Sequence, residues 1–168
     1  EARDIALRVG EVLAAAHARG IVHRDIKPEN IRLRRDLGGT HVKVLDFGIA
    51  KFRPEANARL TADGAIAGTP GYMAPEQVRA EALDGRADIY ALGLVTYEMM
   101  TGLSPYTSTS APALLVDQMT TPMPSLSARA PGRDFPELDA VLQKACAKDA
   151  AQRYQSAKEF VQAMKALP

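Results

Sequence analysis

His23-Arg24-Asp25-Ile26-Lys27-Pro28-Glu29-Asn30 stands near the start of the chain, and Asp46-Phe47-Gly48 follows it. These blocks gather carboxylic acids, an amide and a lysine, side chains that can move a proton, hold a hard cation or neutralise a phosphate. Any one of them alone reads as a solvated or capping residue; their joint recurrence in order reads as a site. Between the blocks, Ile31 to Leu33 and Val42 to Leu45 are short β-like runs around a turn at Gly38-Gly39. Upstream, Ile5, Val9, Val12, Leu13 and Ala16 recur at helical spacing until Gly20.

Downstream, residues 49–77 show no sustained periodicity, and a loop of that length in a compact domain is usually functional or disordered. From Ala87 to Met100 the chain is apolar nearly all round and Gly102 follows, which predicts a buried helix. A further helix is expected from the stripe Leu138, Val141, Leu142, Ala145 and Cys146, with Pro136 near its first turn. Ser156-Ala-Lys-Glu159 matches a capping box and opens a last helix. No repeat or low-complexity tract interrupts the pattern. The expected fold class is mostly α with short β-strands confined to the first third.

The 168 residues suit one domain with a real core, and 46% hydrophobic with 24% charged residues is ordinary for a globular protein. A net charge of +1 supplies no strong field for nucleic acid or an anionic membrane, so neither is expected as a partner. No run approaches the roughly 18 apolar residues of a membrane span. Cys146 is the single cysteine, expected as a core thiol, and it fits a reducing, cytoplasmic setting. His17 and His41 lack neighbours at metal-ligand spacing and are expected on the surface.

The two quoted blocks resemble the catalytic loop and metal-binding motif of protein kinases, at the family's order and spacing. Gly68-Thr69-Pro70-Gly71-Tyr72-Met73-Ala74-Pro75-Glu76 resembles the end of that family's activation segment. Asp88 and Arg153 also stand where the family keeps them, so the resemblance spans essentially the whole chain. It implies a kinase C-terminal lobe over residues 1–168, with a catalytic loop at 23–30, an activation segment at 46–76 and a helical base at 77–168. The implied reaction is transfer of the ATP γ-phosphoryl group to protein Ser or Thr hydroxyls. Asp25 would take or orient the hydroxyl proton, and Lys27 would sit by the phosphate. Asn30 and Asp46 would bind Mg2+, whose preference is for oxygen donors. Lys27 and Thr69 point to the Ser/Thr branch, and Arg153-Tyr154-Gln155-Ser156-Ala157 resembles its bacterial members. By the same resemblance His23 stacks on Phe47, Asp88 holds the catalytic-loop backbone, and Glu76 pairs with Arg153.

Arg24 beside the catalytic acid implies control by phosphorylation, with Thr61 as the acceptor and the fixed charge of Asp63 two residues on. The chain shows no Gly-rich phosphate loop, no strand lysine and no partner glutamate. The absent N-terminal lobe of the same parent chain is therefore the expected partner that covers ATP, and these residues alone are expected to transfer little phosphate. Glu1 already lies inside a helical pattern, so sequence upstream is expected. Arg32 departs from the family, which places an apolar residue there beneath the adenine. Ile31 and Leu33 are expected to point inward, sending Arg32 to the nucleotide side. The alternative to a kinase is a pseudokinase or protein-binding scaffold. Small-molecule phosphotransferases share a related loop but lack the Ala74-Pro75-Glu76 segment.

Overall fold

The structure, a computed structural model, describes residues 1–36, 39–47, 69–130 and 135–168. Thr61, Asp63, Gly48 and the greater part of the expected activation segment lie outside the described residues. The centre of the molecule is a helix, α3 (Gly85–Thr101), buried from Ala87 to Tyr97. Leu92, Leu94 and Tyr97 are all but sealed from solvent, each burial worth about 2 kcal/mol. At its start the Asp84 side chain accepts the amide of Arg86. At its end Gly102 turns left-handed at φ 74° and donates its amide to Glu98 O.

Around this axis pack α1 (Ala2–His17), α6 (Pro136–Ala145) and α7 (Ala157–Lys165). The sequence-predicted apolar stripes face the core: Ile5, Val9 and Leu13 from α1, and Leu138, Val141, Leu142 and Ala145 from α6. Cys146 is buried beside α3, and burial pushes its thiol up to about 12. α7 starts at Ser156, whose hydroxyl accepts the Glu159 amide at 3.2 Å. The Glu159 carboxylate reaches back one residue further than in a capping box, to the amide of Gln155 at 2.9 Å. At the opposite corner the guanidinium of Arg3 donates to the carbonyls of Met164, Lys165, Leu167 and Pro168, closing the end of α7.

Two strands, β1 (Ile31–Asp36) and β2 (Gly39–Val44), form an antiparallel ribbon in the register Ile31↔Val44, Arg32↔Lys43 and Leu33↔Val42. Ile31, Val42 and Val44 rest on the core. Leu33 shares their face but is 44% exposed, which corrects its expected inward burial. The ribbon runs outward from the lobe, so burial fades along it. Arg32 lies on the other face, exposed and opposite Lys43. The last layer comprises α2 (Pro75–Val78), α4 (Ala111–Thr120) and α5 (Leu126–Arg129), with α4 against α2 and α5 against α3. Among the described residues no helix is long and apolar enough to cross a membrane.

Candidate active site

Arg24 and Asp46 are left-handed, at φ 67° and 52°. Such a backbone costs an arginine about 1 kcal/mol or more, while aspartate tolerates it better. Asp88, almost fully buried on α3, offsets that cost at the first position. Its Oδ2 accepts the amide of His23 at 2.8 Å, and its Oδ1 accepts the amide of Arg24 at 2.7 Å. The third partner of Asp88 is the imidazole Nε2 of His17, also at 2.8 Å. His17 was expected on the surface; instead it belongs to this buried network. Gly85 makes room for it, since a Cβ there would lie 2.5 Å from the His17 ring.

His23 is sealed from solvent and its bonds fix its tautomer. Nδ1 accepts the amide of Asp25 at 3.2 Å, so Nε2 carries the proton and donates to Leu45 O at 2.7 Å. Its ring meets Phe47 at 4.8 Å between centroids. The chain on either side of the ribbon is thus pinned by one histidine. Leu45 also donates its amide to Asn30 O at 2.8 Å, so Asp46 directly follows the residue bonded to Asn30.

Asp25, Lys27, Asn30 and Thr69 converge. Lys27 Nζ lies 3.2 Å from Asp25 Oδ2 and donates to Thr69 Oγ1 at 2.8 Å. Asn30 spends its Nδ2 on Asp25 O at 2.8 Å, with Oδ2 further off at 3.4 Å. Its side-chain carbonyl is therefore the atom left to meet a cation. That carbonyl and the exposed carboxylate of Asp46 are hard oxygen donors of the kind Mg2+ takes. Among the described residues no group of three or more His, Cys, Asp and Glu side chains stands together as a metal site.

Thr69 opens a 3-10 turn, Pro70–Tyr72, whose Tyr72 hydroxyl donates to Glu98 on α3 at 2.5 Å. Burial, then that bond, raises the Tyr72 phenol far above its ordinary value. Gln77 ties this segment to the loop, accepting the Ala74 amide and donating to Arg24 O at 2.8 Å. Glu76 and Arg153 form a buried bidentate pair at 2.7 and 2.8 Å. Arg153 also donates to the carbonyls of Ala147, Arg86 and Lys148 and stacks over the Tyr90 ring at 4.8 Å. Of the site residues expected from the sequence, Arg32 stands apart, exposed on the ribbon; His41 is likewise exposed there, as expected, with Nε2 3.0 Å from Asp36. His17 and Gln77 were not foreseen. For His17 the missed signal is Gly85, whose bare backbone makes room for the ring.

The model for the protein kinase domain matches residues 1–164 of the chain. The chain is 46% identical over 158 residues to the serine/threonine-protein kinase Pkn1 of Myxococcus xanthus, covering 94% of this chain and 22% of that protein. Over 150 residues it is 41% identical to the serine/threonine-protein kinase PknB of Mycolicibacterium smegmatis, covering 89% of this chain and 23% of that one. The crystal structure of the Mycobacterium tuberculosis PknI kinase domain superposes with a TM-score of 0.71 at 34% identity, over 98% of this chain and 54% of that chain. The chain thus spans under a quarter of these two relatives and about half of the solved domain.

Proposed function

This chain belongs to the protein kinase domain family, and on that premise we propose that it supplies the catalytic lobe of a serine/threonine protein kinase. The carrying observation is the convergence of Lys27 on Asp25 at 3.2 Å and on Thr69 at 2.8 Å. In the proposed reaction Asp25 receives the proton of a substrate Ser or Thr hydroxyl as its oxygen bonds to the γ-phosphorus of ATP. The bond from that phosphorus to the bridging oxygen breaks, and ADP leaves with the electron pair. Lys27 neutralises charge on the transferring group, and Thr69 fixes the direction of its ammonium. Asn30 and Asp46 are the residues that would hold Mg2+, which would supply neutralising charge for the phosphates.

The catalytic loop at 23–30, the segment at 46–76 and the base at 77–168 act in this reading as one lobe. A nucleotide-covering lobe from the same parent chain completes it. Thr61 is the proposed phosphorylation site, with Arg24 as a cation that could receive the phosphate. One observation favours the second reading, a scaffold without catalysis: the exposed cation Arg32 on the strand that would underlie the adenine.

The deciding experiment is a phosphoryl-transfer assay on the complete parent protein with ATP and Mg2+. Asp25→Asn is expected to lower kcat at least about a hundredfold, the usual weight of a positioned general base. Equal turnover in both proteins would remove Asp25 from the reaction, and no transfer by either would favour the scaffold. Thr61→Ala in the same assay is expected to lower activity, and an unchanged rate would remove Thr61 from its control.

A further inference from the structure

Gln118, near the end of α4, is completely buried although its helix reads as a half-exposed one. Its amide is fully used. Nε2 donates to Gly71 O at 2.7 Å and to Pro70 O at 3.2 Å, and Oε1 accepts the hydroxyl of Tyr90 at 2.5 Å. Tyr90 has then given its proton away, so its oxygen must accept from the next group along. That group is Lys148, whose Nζ lies 3.0 Å from it.

The same ammonium donates to the Tyr106 hydroxyl at 2.7 Å and to the carbonyls of Gln118 and Asp117 at 2.8 and 3.1 Å. These carbonyls belong to the last turn of α4, where helices leave acceptors unfilled and favour a cation. Lys148 therefore both closes α4 and orients the tyrosine that orients Gln118. Pro70 and Gly71 are the residues just after Thr69, which bonds Lys27. We propose that Gln118, held by Tyr90 and Lys148, is a positioning residue that fixes the Pro70–Tyr72 ledge and so governs binding of the protein substrate beside its acceptor hydroxyl. The proposal rests on the kinase reading above.

A relay built on one buried ammonium is sensitive to its proton. Burial lowers the Lys148 amine to about 8. Facing it are Cys146, just past α6, Arg153 beyond it, Asp117 on α4, and the tyrosines Tyr90 and Tyr106. Cys146 and both phenols are raised by burial, and so stay neutral while the amine titrates. Asp117 is lowered by its bonds to Ser108 and Thr121, and stays charged. Above about pH 8 the amine keeps two donors for four oxygens, and the clamp loosens. The effect on folding has the opposite sign. Because the folded amine lies below the unfolded value, the unfolded chain binds more protons between about 8 and 10.5, so this group makes the fold relatively more stable as pH rises through that window. Weaker substrate binding at high pH therefore cannot come from unfolding driven by Lys148.

The test is steady-state kinetics of the complete parent protein with a protein substrate and ATP. Gln118→Leu is expected to raise KM for the protein substrate roughly tenfold, with kcat and KM for ATP within about twofold, the pattern of a lost binding contact. In the wild type, KM for the protein substrate is expected to rise as pH passes about 8; in Lys148→Met it should be high and flat. An unchanged protein-substrate KM in Gln118→Leu overturns the proposal, as does a fall in kcat alone. Should Gln118→Leu fail to fold, Tyr90→Phe, which removes only the hydroxyl that orients Gln118, decides, and an unchanged protein-substrate KM in it overturns the proposal. A wild type without Asp25-dependent transfer overturns the kinase reading and this inference together, whereas an active enzyme indifferent to Gln118 overturns the inference alone.

Discussion

Gly85 shows how a single residue can set the sign of a substitution. By helix propensity, Gly85→Ala should stabilise α3 by up to about 1 kcal/mol. The added Cβ, however, would meet the His17 ring at 2.5 Å, and the ring can yield only by leaving Asp88. Overpacking typically costs about 1–3 kcal/mol, so net destabilisation is expected, read as a lower urea midpoint of the kinase domain. Asp25, Lys27 and Asn30 were expected together from one short motif, and the hydrogen bonds that join them match that expectation; the bonds of Asp88 to the loop amides and of Arg153 to Glu76 were expected only from the family resemblance. His17 and Gln118 were not legible in the sequence, since each owes its role to a partner far along the chain, at Asp88 and at Pro70 and Gly71. Leu33 was misread for a related reason: alternation gives the face of a strand but not where the layer beneath it ends.

Among the elements, α2 is too short to hold itself, and Glu76 on it depends on Arg153 beyond α6. Arg153→Met would leave the Glu76 carboxylate buried without its cation, at a cost of about 3–5 kcal/mol. Arg153→Met with Glu76→Leu should recover part of that loss. Recovery stays incomplete because the guanidinium also fills the carbonyls of Ala147, Arg86 and Lys148. Urea unfolding of the single and double variants checks both outcomes. The helices α1, α3, α6 and α7 were readable from their apolar periodicity and their glycine, proline and serine boundaries. The short α5 and the 3-10 turn Pro70–Tyr72 carry too few residues for any period to register, and their form is imposed by neighbours.

At the scale of the molecule, the described residues bring Asp25, Lys27, Asn30 and Thr69 together, while the solved kinase domain they resemble is about twice as long. The isolated 168-residue chain is expected to transfer phosphate at under about 1% of the complete protein's rate, a loss consistent with the large share of catalysis that positioning provides. A radiolabelled ATP assay on both proteins measures it, and comparable rates would show that no second lobe is needed. Asp88 has one more consequence, which concerns time rather than shape. Because α3 is the most buried element and its carboxylate holds the amides of His23 and Arg24, those two protons can exchange with deuterium only when the core itself opens. They are expected to exchange as slowly as amides within α3, and tens of times more slowly than amides of the largely exposed segment 107–110. The backbone before Asp25 would then have no regular secondary structure yet persist as long as the core, so that in the proposed reaction Asp25 would wait in place between turnovers instead of being repositioned for each one.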